Sequence, residues 1–274
     1  ENARSIKQAG DANGVQNFFM LKQIGRNPLI ARALTDMGYV GAVCVDFREA
    51  LTMVENQIPL GNVGHLVQIP RAALKKILRA KPVIVTVYTL EKAREISAVC
   101  TELGLHQKLM LRVLGEGDML YSGQYGGFEL QELDSAVRAI EAMPNVEVGG
   151  VCSFPCFLYD EAAQDILPMP NLRTVQTAAE MLRARGYRDL MLNTPSATCT
   201  HSIPMIAAAG VSILITAFWN DAVSFMSTKW DSIVIFVVAV WLLKKKNWNP
   251  ILAMVLSGFA KLAVQGVLAL VGIV

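Results

Sequence analysis

Short apolar runs alternate with longer stretches in which apolar residues recur at helical spacing, from residue 1 to about residue 210. The runs are Phe18–Leu21, Ala42–Val45, Val63–Val67, Val83–Tyr88, Leu109–Val113, Val148–Val151 and Leu190–Leu192, with Val211–Ala217 placed to be an eighth. Strand alternating with amphipathic helix is the pattern of repeated βα units and a parallel sheet. The intervening spacing predicts helices over Pro28–Met37, opening on a proline, and over Arg48–Glu55, Arg71–Ala80 and Leu90–Leu103. Two more are predicted, Glu129–Met143, stopped by Pro144, and Asn171–Gly186, with Asn171 as cap and Gly186 as terminator. Eight such units predict a TIM-type (β/α)8 barrel, a fold of roughly 250 residues. An open doubly wound sheet fits less well, because no strand is followed by a Gly-x-Gly-x-x-Gly turn.

Beyond residue 210 the pattern changes, so the chain is expected to divide into a barrel over 1–218 and an apolar, helical tail over 219–274. Ile233–Leu243 is an uninterrupted apolar run of 11 residues, followed by Lys244-Lys245-Lys246, then Asn249-Pro250 and the apolar stretch Ile251–Val274. Eleven helical residues span about 16 Å against a hydrocarbon core of about 30 Å. A single crossing from a cytoplasmic barrel would also put the lysine triplet on the outer side, against the positive-inside tendency. Peripheral or partial membrane insertion of residues 233–274 is the expectation, with the barrel in the cytoplasm.

Composition narrows the chemistry. Hydrophobic residues at 53% and charged residues at 18% exclude a disordered chain. With 25 basic and 23 acidic side chains the net charge is +2, too small a field to suggest a nucleic-acid partner. The five cysteines, odd in number and mostly in apolar runs, are expected to be reduced core residues. Cys152 and Cys156 have three residues between them and the chain has three histidines, so no metal site is expected. The opening Glu1-Asn2-Ala3-Arg4 leads into no apolar h-region, and no secretory signal is expected.

In a barrel the residues just after each strand face the active site. Lys22 follows the apolar run Phe18–Leu21, where lost hydration would lower its pKa and expose a neutral, imine-forming amine. A lysine that only snorkels from a strand end is the plain alternative. His65, at the end of the third run, suits an acid, base or hydrogen-bond donor, or else a satisfied core histidine. Tyr121 and Gln124 belong to a glycine-rich loop, Gly115–Gly127, where a ligand-facing cover or an ordinary flexible loop would lie. Asp46 is expected to be structural.

The segment Phe19-Met20-Leu21-Lys22-Gln23-Ile24-Gly25-Arg26-Asn27-Pro28 resembles the lysine-bearing first strand of the alanine-racemase-like, pyridoxal phosphate-dependent proteins of fold type III. Gly64-His65-Leu66-Val67-Gln68-Ile69-Pro70, Leu120-Tyr121-Ser122-Gly123-Gln124, Phe154-Pro155-Cys156 and Asn193-Thr194-Pro195-Ser196-Ala197-Thr198 extend the likeness in order, and it is strongest to the YhfX-type branch. The resemblance implies an amino-acid racemase-like enzyme, acting as a homodimer through an aldimine of Lys22 with pyridoxal 5'-phosphate. It implies that Ser196, with Thr198, meets the cofactor phosphate, where local residues alone would equally let Ser196, Thr198 and Thr200 cap a helix near His201. Arg112 stands where alanine racemases carry a lysine near the cofactor, and its fixed charge suits a substrate carboxylate or the cofactor phenolate. A buried arginine paired with a barrel acid is the alternative for Arg112. The set of cofactor residues is therefore Lys22, His65, Arg112, Ser196 and Thr198.

Three departures qualify what the resemblance implies. Ser153 stands where relatives tend to have a histidine, Gly210-Val211 lacks the following Pro-Gly turn, and residues after 211 are not expected to form the family's β domain. These leave the second base unassigned and make a cofactor-binding or carrier protein without turnover the alternative function. Residues 219–274 resemble the end of a chromate-transporter-type membrane segment, so a chimeric chain is a further alternative.

Overall fold

A computed structural model of the chain describes residues 1–208. They open with α1 (Asn2–Ala12) and α2 (Pro28–Asp36), and continue through β1 (Ala42–Cys44), α3 (Phe47–Glu55), β2 (Leu60–Val63), α4 (Arg71–Arg79), β3 (Ile84–Val87) and α5 (Leu90–Leu103). Next come β4 (Gln107–Leu114), β5 (Phe128–Glu129), α6 (Leu133–Glu141) and β6 (Val146–Cys152). A hairpin of β7 (Phe157–Asp160) and β8 (Asp165–Pro168), then α7 (Pro170–Ala184) and β9 (Met191–Asn193), complete the named elements. Residues 202–208 are helical.

The strands β1, β2, β3, β4, β6 and β9 lie side by side in that order, each neighbouring pair parallel, with β5 added at the end of β4. This is an α/β half-barrel of parallel strands. Its strands are apolar runs because helices cover them: every residue of β2 and β3 is buried. The helices bury one stripe each. In α4, Ala73, Leu74, Ile77 and Leu78 are buried while Lys75 and Lys76 reach outward to Glu102 and Glu55. α5 has the predicted ends, capped by the Thr89 hydroxyl on the Lys92 amide and stopped at Gly104 with φ 64°.

Some boundaries differ from the sequence pattern. The run Phe18–Leu21 extends the sheet beyond β1 by a single parallel bridge, Phe19 to Ala42. The third strand is Leu60–Val63, upstream of the predicted Val63–Val67. It ends at Gly64, whose φ is 89° and where a Cβ would lie 2.7 Å from the Thr86 carbonyl oxygen. Polar Asn62 sits inside this strand because its side-chain oxygen accepts the Thr86 hydroxyl at 2.8 Å. α7 starts on Pro170, and Asn171 is not its cap: the N-cap is Met169, and Asn171 is fully buried with its amide turned to other partners. α1 and the β7–β8 hairpin are additions that the pattern did not predict.

The predicted eighth strand, Val211–Ala217, and the tail 219–274 lie outside the described residues. No helix among the described residues is long and apolar enough to cross a membrane.

Candidate active site

A cavity of about 560 Å³ opens at the C-terminal ends of the strands, with Lys22, His65, Phe154, Asn193, Ser196 and Thr198 in its wall. Four of the five predicted cofactor residues therefore share one cavity. The fifth, Arg112, lies behind that wall.

Lys22 does not end a strand. Buried Leu21 closes the run, and Lys22 opens a 3₁₀ turn, Lys22–Ile24, with its side chain exposed. The expected loss of hydration does not occur, because the turn lifts the amine to the rim.

His65 follows Gly64 in the loop after β2 and is 4% exposed. Its ring packs edge-on against Phe154, with centroids 5.6 Å apart. Burial, and then the positive charges of Arg112 and Lys22, push its pKa down to about 4. At neutral pH it is an uncharged imidazole, and its buried Nδ1 has no hydrogen-bond partner. That orphan atom sets it apart from a satisfied core histidine.

Arg112, on β4, is 2% exposed. Its Nη1 donates to the Tyr88 hydroxyl at 3.0 Å, and that hydroxyl donates to the His65 carbonyl at 2.5 Å. Nε and Nη2 are buried without partners. The barrel acid that would pair with Arg112 is not there: among the described residues it makes no ion pair. A buried cation in that state costs free energy unless an anion or acceptor reaches it.

Ser196 and Ala197 take left-handed backbone conformations, φ 98° and 49°, in the loop after β9. Non-glycine residues hold such angles only where surroundings enforce them. Here the Cys156 amide donates to the Pro195 carbonyl at 3.0 Å and the Ser202 hydroxyl to the Ala197 carbonyl at 2.7 Å. Ser202 also accepts the Cys199 amide at 2.9 Å, so the hydrogen bonding at the start of helix 202–208 runs through Ser202. Ser196 and Thr198 belong to the cavity wall.

The loop Gly115–Gly127 contributes no residue to the cavity wall and meets it through Phe154. Its start is tied down by Asp118, which accepts the Thr174 hydroxyl at 2.7 Å and the Gly115 amide at 2.9 Å. Asn171 exchanges two hydrogen bonds with the Met119 backbone and donates to the Ser153 hydroxyl at 3.0 Å. Farther along, Tyr121 packs on Phe154, ring centroids 5.5 Å apart. Gln124 is part-buried, with its Oε1 unpartnered. The sequence does not single out Tyr88, Phe154 or Asp118, because each acts through a neighbour distant in sequence, and only Phe154 lies in one of the motifs above. His201 reaches the hairpin, 2.8 Å from Asp165, and His106 lies on the surface near Glu147. The cysteines follow the core expectation, with Cys44, Cys100, Cys152 and Cys156 buried and Cys199 half-buried, all as free thiols.

A parallel half-barrel with a lysine at the rim of its first run and hydroxyls after its last described strand defines a barrel of the alanine racemase class. The family profile described as "Alanine racemase, N-terminal domain" matches residues 1–216, and the chain belongs to that family. It is 39% identical over 212 residues to the uncharacterized protein YhfX of Escherichia coli (strain K12), covering 77% of this chain and 55% of that one. Among solved structures it is similar in fold to diaminopimelate decarboxylase from Helicobacter pylori complexed with L-lysine, with a TM-score of 0.56 and 16% identity, covering 78% of this chain and 59% of that one. D-threonine aldolase from Filomicrobium marinum gives a TM-score of 0.54 and 18% identity over 76% of this chain and 56% of that one. Alanine racemase from Clostridium difficile 630 gives 0.52 and 14% over 70% and 50%. The chain spans about half the length of the relatives it matches.

Proposed function

We propose that the chain is the cofactor-bearing barrel of a pyridoxal phosphate-dependent enzyme that acts on an amino acid, with racemisation as its reaction. The observation that carries this reading is the convergence of Lys22, His65, Ser196 and Thr198 on one cavity, with the unpaired Arg112 guanidinium behind it. The named neighbours act on or bind amino acids by racemisation, aldol cleavage or decarboxylation; the family match favours the first.

The residues present fit the cofactor. Buried Nε and Nη2 of Arg112 and Nδ1 of His65 lack partners, which an anionic, hydrogen-bonding group would supply. When bound, pyridoxal phosphate supplies an electron sink for negative charge developing at the substrate Cα. Ser196 and Thr198 would hold its phosphate through their hydroxyls, and Lys22 would hold its aldehyde end and move the proton at Cα. Arg112 sets a fixed positive charge for the phenolate or the substrate carboxylate. Neutral His65 donates or accepts without adding charge. Phe154 and Tyr121 keep water from one side of the reacting centre.

Cofactor binding without turnover is the second reading, and the observation favouring it is that Lys22 is exposed in its 3₁₀ turn. Two measurements separate the readings. Borohydride reduction of the chain with pyridoxal phosphate should fix a pyridoxyl group on Lys22, and a labelled peptide that lacks Lys22 would sink both. Chiral chromatography of a panel of amino acids should then reveal inversion for at least one; none inverted would leave only the binding reading.

A further inference from the structure

We propose that the first turn of α3 clasps the loop that carries Lys22, making Arg26, Asp46 and Glu49 positioning residues for its amine. The inference rests on the role given to Lys22 above.

Lys22 is exposed and, among the described residues, its amine has no ion-pair partner. A free lysine side chain has many rotamers, so what can be fixed is the backbone beneath it. That backbone is a closed loop: the Leu21 carbonyl accepts both the Ile24 amide at 3.1 Å and the Arg26 amide at 3.0 Å. Both ends of the loop then meet α3. Arg26, held at φ 56°, donates from Nη2 to Asp46 Oδ2 at 2.9 Å. At the other end, the Leu21 backbone hydrogen-bonds the buried Glu49 carboxylate, whose Oε2 also accepts the Val45 amide at 2.9 Å.

Helix capping alone does not require this arrangement. An N-cap needs one acceptor for one early amide, and Asp46 Oδ1 already meets that need by accepting the Glu49 amide at 2.8 Å. Asp46 Oδ2 is left to reach Arg26, 20 residues earlier in the chain. Capping thus orients the carboxylate, and the oriented carboxylate fixes the loop. Holding a reacting group in register matters because a displacement of about 1 Å can cost on the order of 100-fold in rate.

Substituting serine at Asp46 separates the two roles, since Asp46→Ser keeps a capping oxygen and removes the partner of Arg26. Arg26→Gln removes the pair from the other side, and Arg26→Lys retains its charge. Two readouts on the full chain are compared: amide hydrogen exchange of residues 21–26 without cofactor, and the share of borohydride-fixed pyridoxyl found on Lys22 rather than on other lysines. D46S and R26Q should quicken the exchange and lower the Lys22 share by about tenfold, R26K should recover most of that share, and thermal midpoints should stay near wild type. Unchanged exchange in D46S and R26Q overturns the clasp. Faster exchange with an unchanged Lys22 share makes the contacts a fold element only and overturns the positioning role. A wild-type chain that takes no label on Lys22 sinks the cofactor reading instead, and the exchange data alone then decide whether the clasp exists.

Discussion

Arg112 lies over Tyr88, its guanidinium carbon 5.0 Å from the ring centroid and its Nη1 donating to the phenol oxygen at 3.0 Å. That one contact leaves two guanidinium nitrogens buried and unpaired. Such a guanidinium costs the fold free energy unless an anion or acceptor reaches it.

Arg112→Met should separate the two effects. An apolar side chain of similar length removes the unpaired charge, and the cofactor-free chain should gain about 1 kcal/mol or more. The same variant should bind pyridoxal phosphate more weakly, so that added cofactor raises its melting midpoint less than it raises that of wild type. A variant that melts lower without cofactor and gains as much from it would contradict this account.

His65 makes stability depend on acid. Burial, Arg112 and Lys22 depress its pKa from the usual 6.5 to about 4. The unfolded chain takes up a proton near 6.5 and the folded chain does not until about 4. Its contribution is therefore full above pH 6.5 and is lost as pH falls toward 4, up to about 3 kcal/mol. Urea unfolding at a series of pH values should give a slope over that window, and His65→Leu should flatten it.

Glu49 works in the opposite sense. Burial raises its pKa, outweighing the backbone hydrogen bonds of Val45 and Leu21 and the charge of Arg26. The folded chain keeps this proton to a higher pH than the unfolded chain, so its contribution is full below the ordinary glutamate pKa of about 4.3. It is lost as pH rises through the raised folded value. Glu49→Gln keeps an acceptor for the Val45 amide without the charge. The variant should match wild type in acid and exceed it at pH 8 in thermal unfolding, and equal differences at both pH values would refute the assignment.

Gly150 packs directly against the backbone of β9. A Cβ there would lie 2.2 Å from the Met191 carbonyl oxygen, so β9 would have to move. Gly150→Ala should cost about 2 kcal/mol or more. It should also reduce pyridoxal phosphate binding, because β9 leads directly into the Ser196 loop. Wild-type binding in a folded G150A chain would show that the loop does not depend on that register.

The alternation of runs was enough to find β1, β3, β4, β6, β9 and the helices between them, since buried parallel strands and amphipathic helices both write their burial into the sequence. The pattern misplaced β2, where Gly61 and Asn62 look like a turn but are buried because Phe18 packs against the glycine and Thr86 bonds the asparagine. α1 carries few apolar residues. It is fixed by distant contacts, the Tyr39 hydroxyl on the Ala3 carbonyl and the Asn17 amide on the Ile6 carbonyl. Of the cavity wall, Lys22 and His65 were legible as residues that follow apolar runs, and Ser196 and Thr198 only through the family resemblance. What was not legible is the state of each: the exposure of Lys22 follows from a 3₁₀ turn, and the missing partner of Arg112 from what the neighbouring strands do not carry.

Among the described residues the hairpin of β7 and β8 pairs only with itself, yet it occupies the stretch between β6 and α7 and meets His201, downstream of the Ser196 loop, through Asp165. Phe157 anchors it in the core, and among the described residues the main sheet takes no part in that pairing, so the exposed turn 161–164 can vary without breaking the main sheet's ladder. The piece of rim beside His201 therefore has a ladder of its own, and its shape can change there while the parallel strands keep their register.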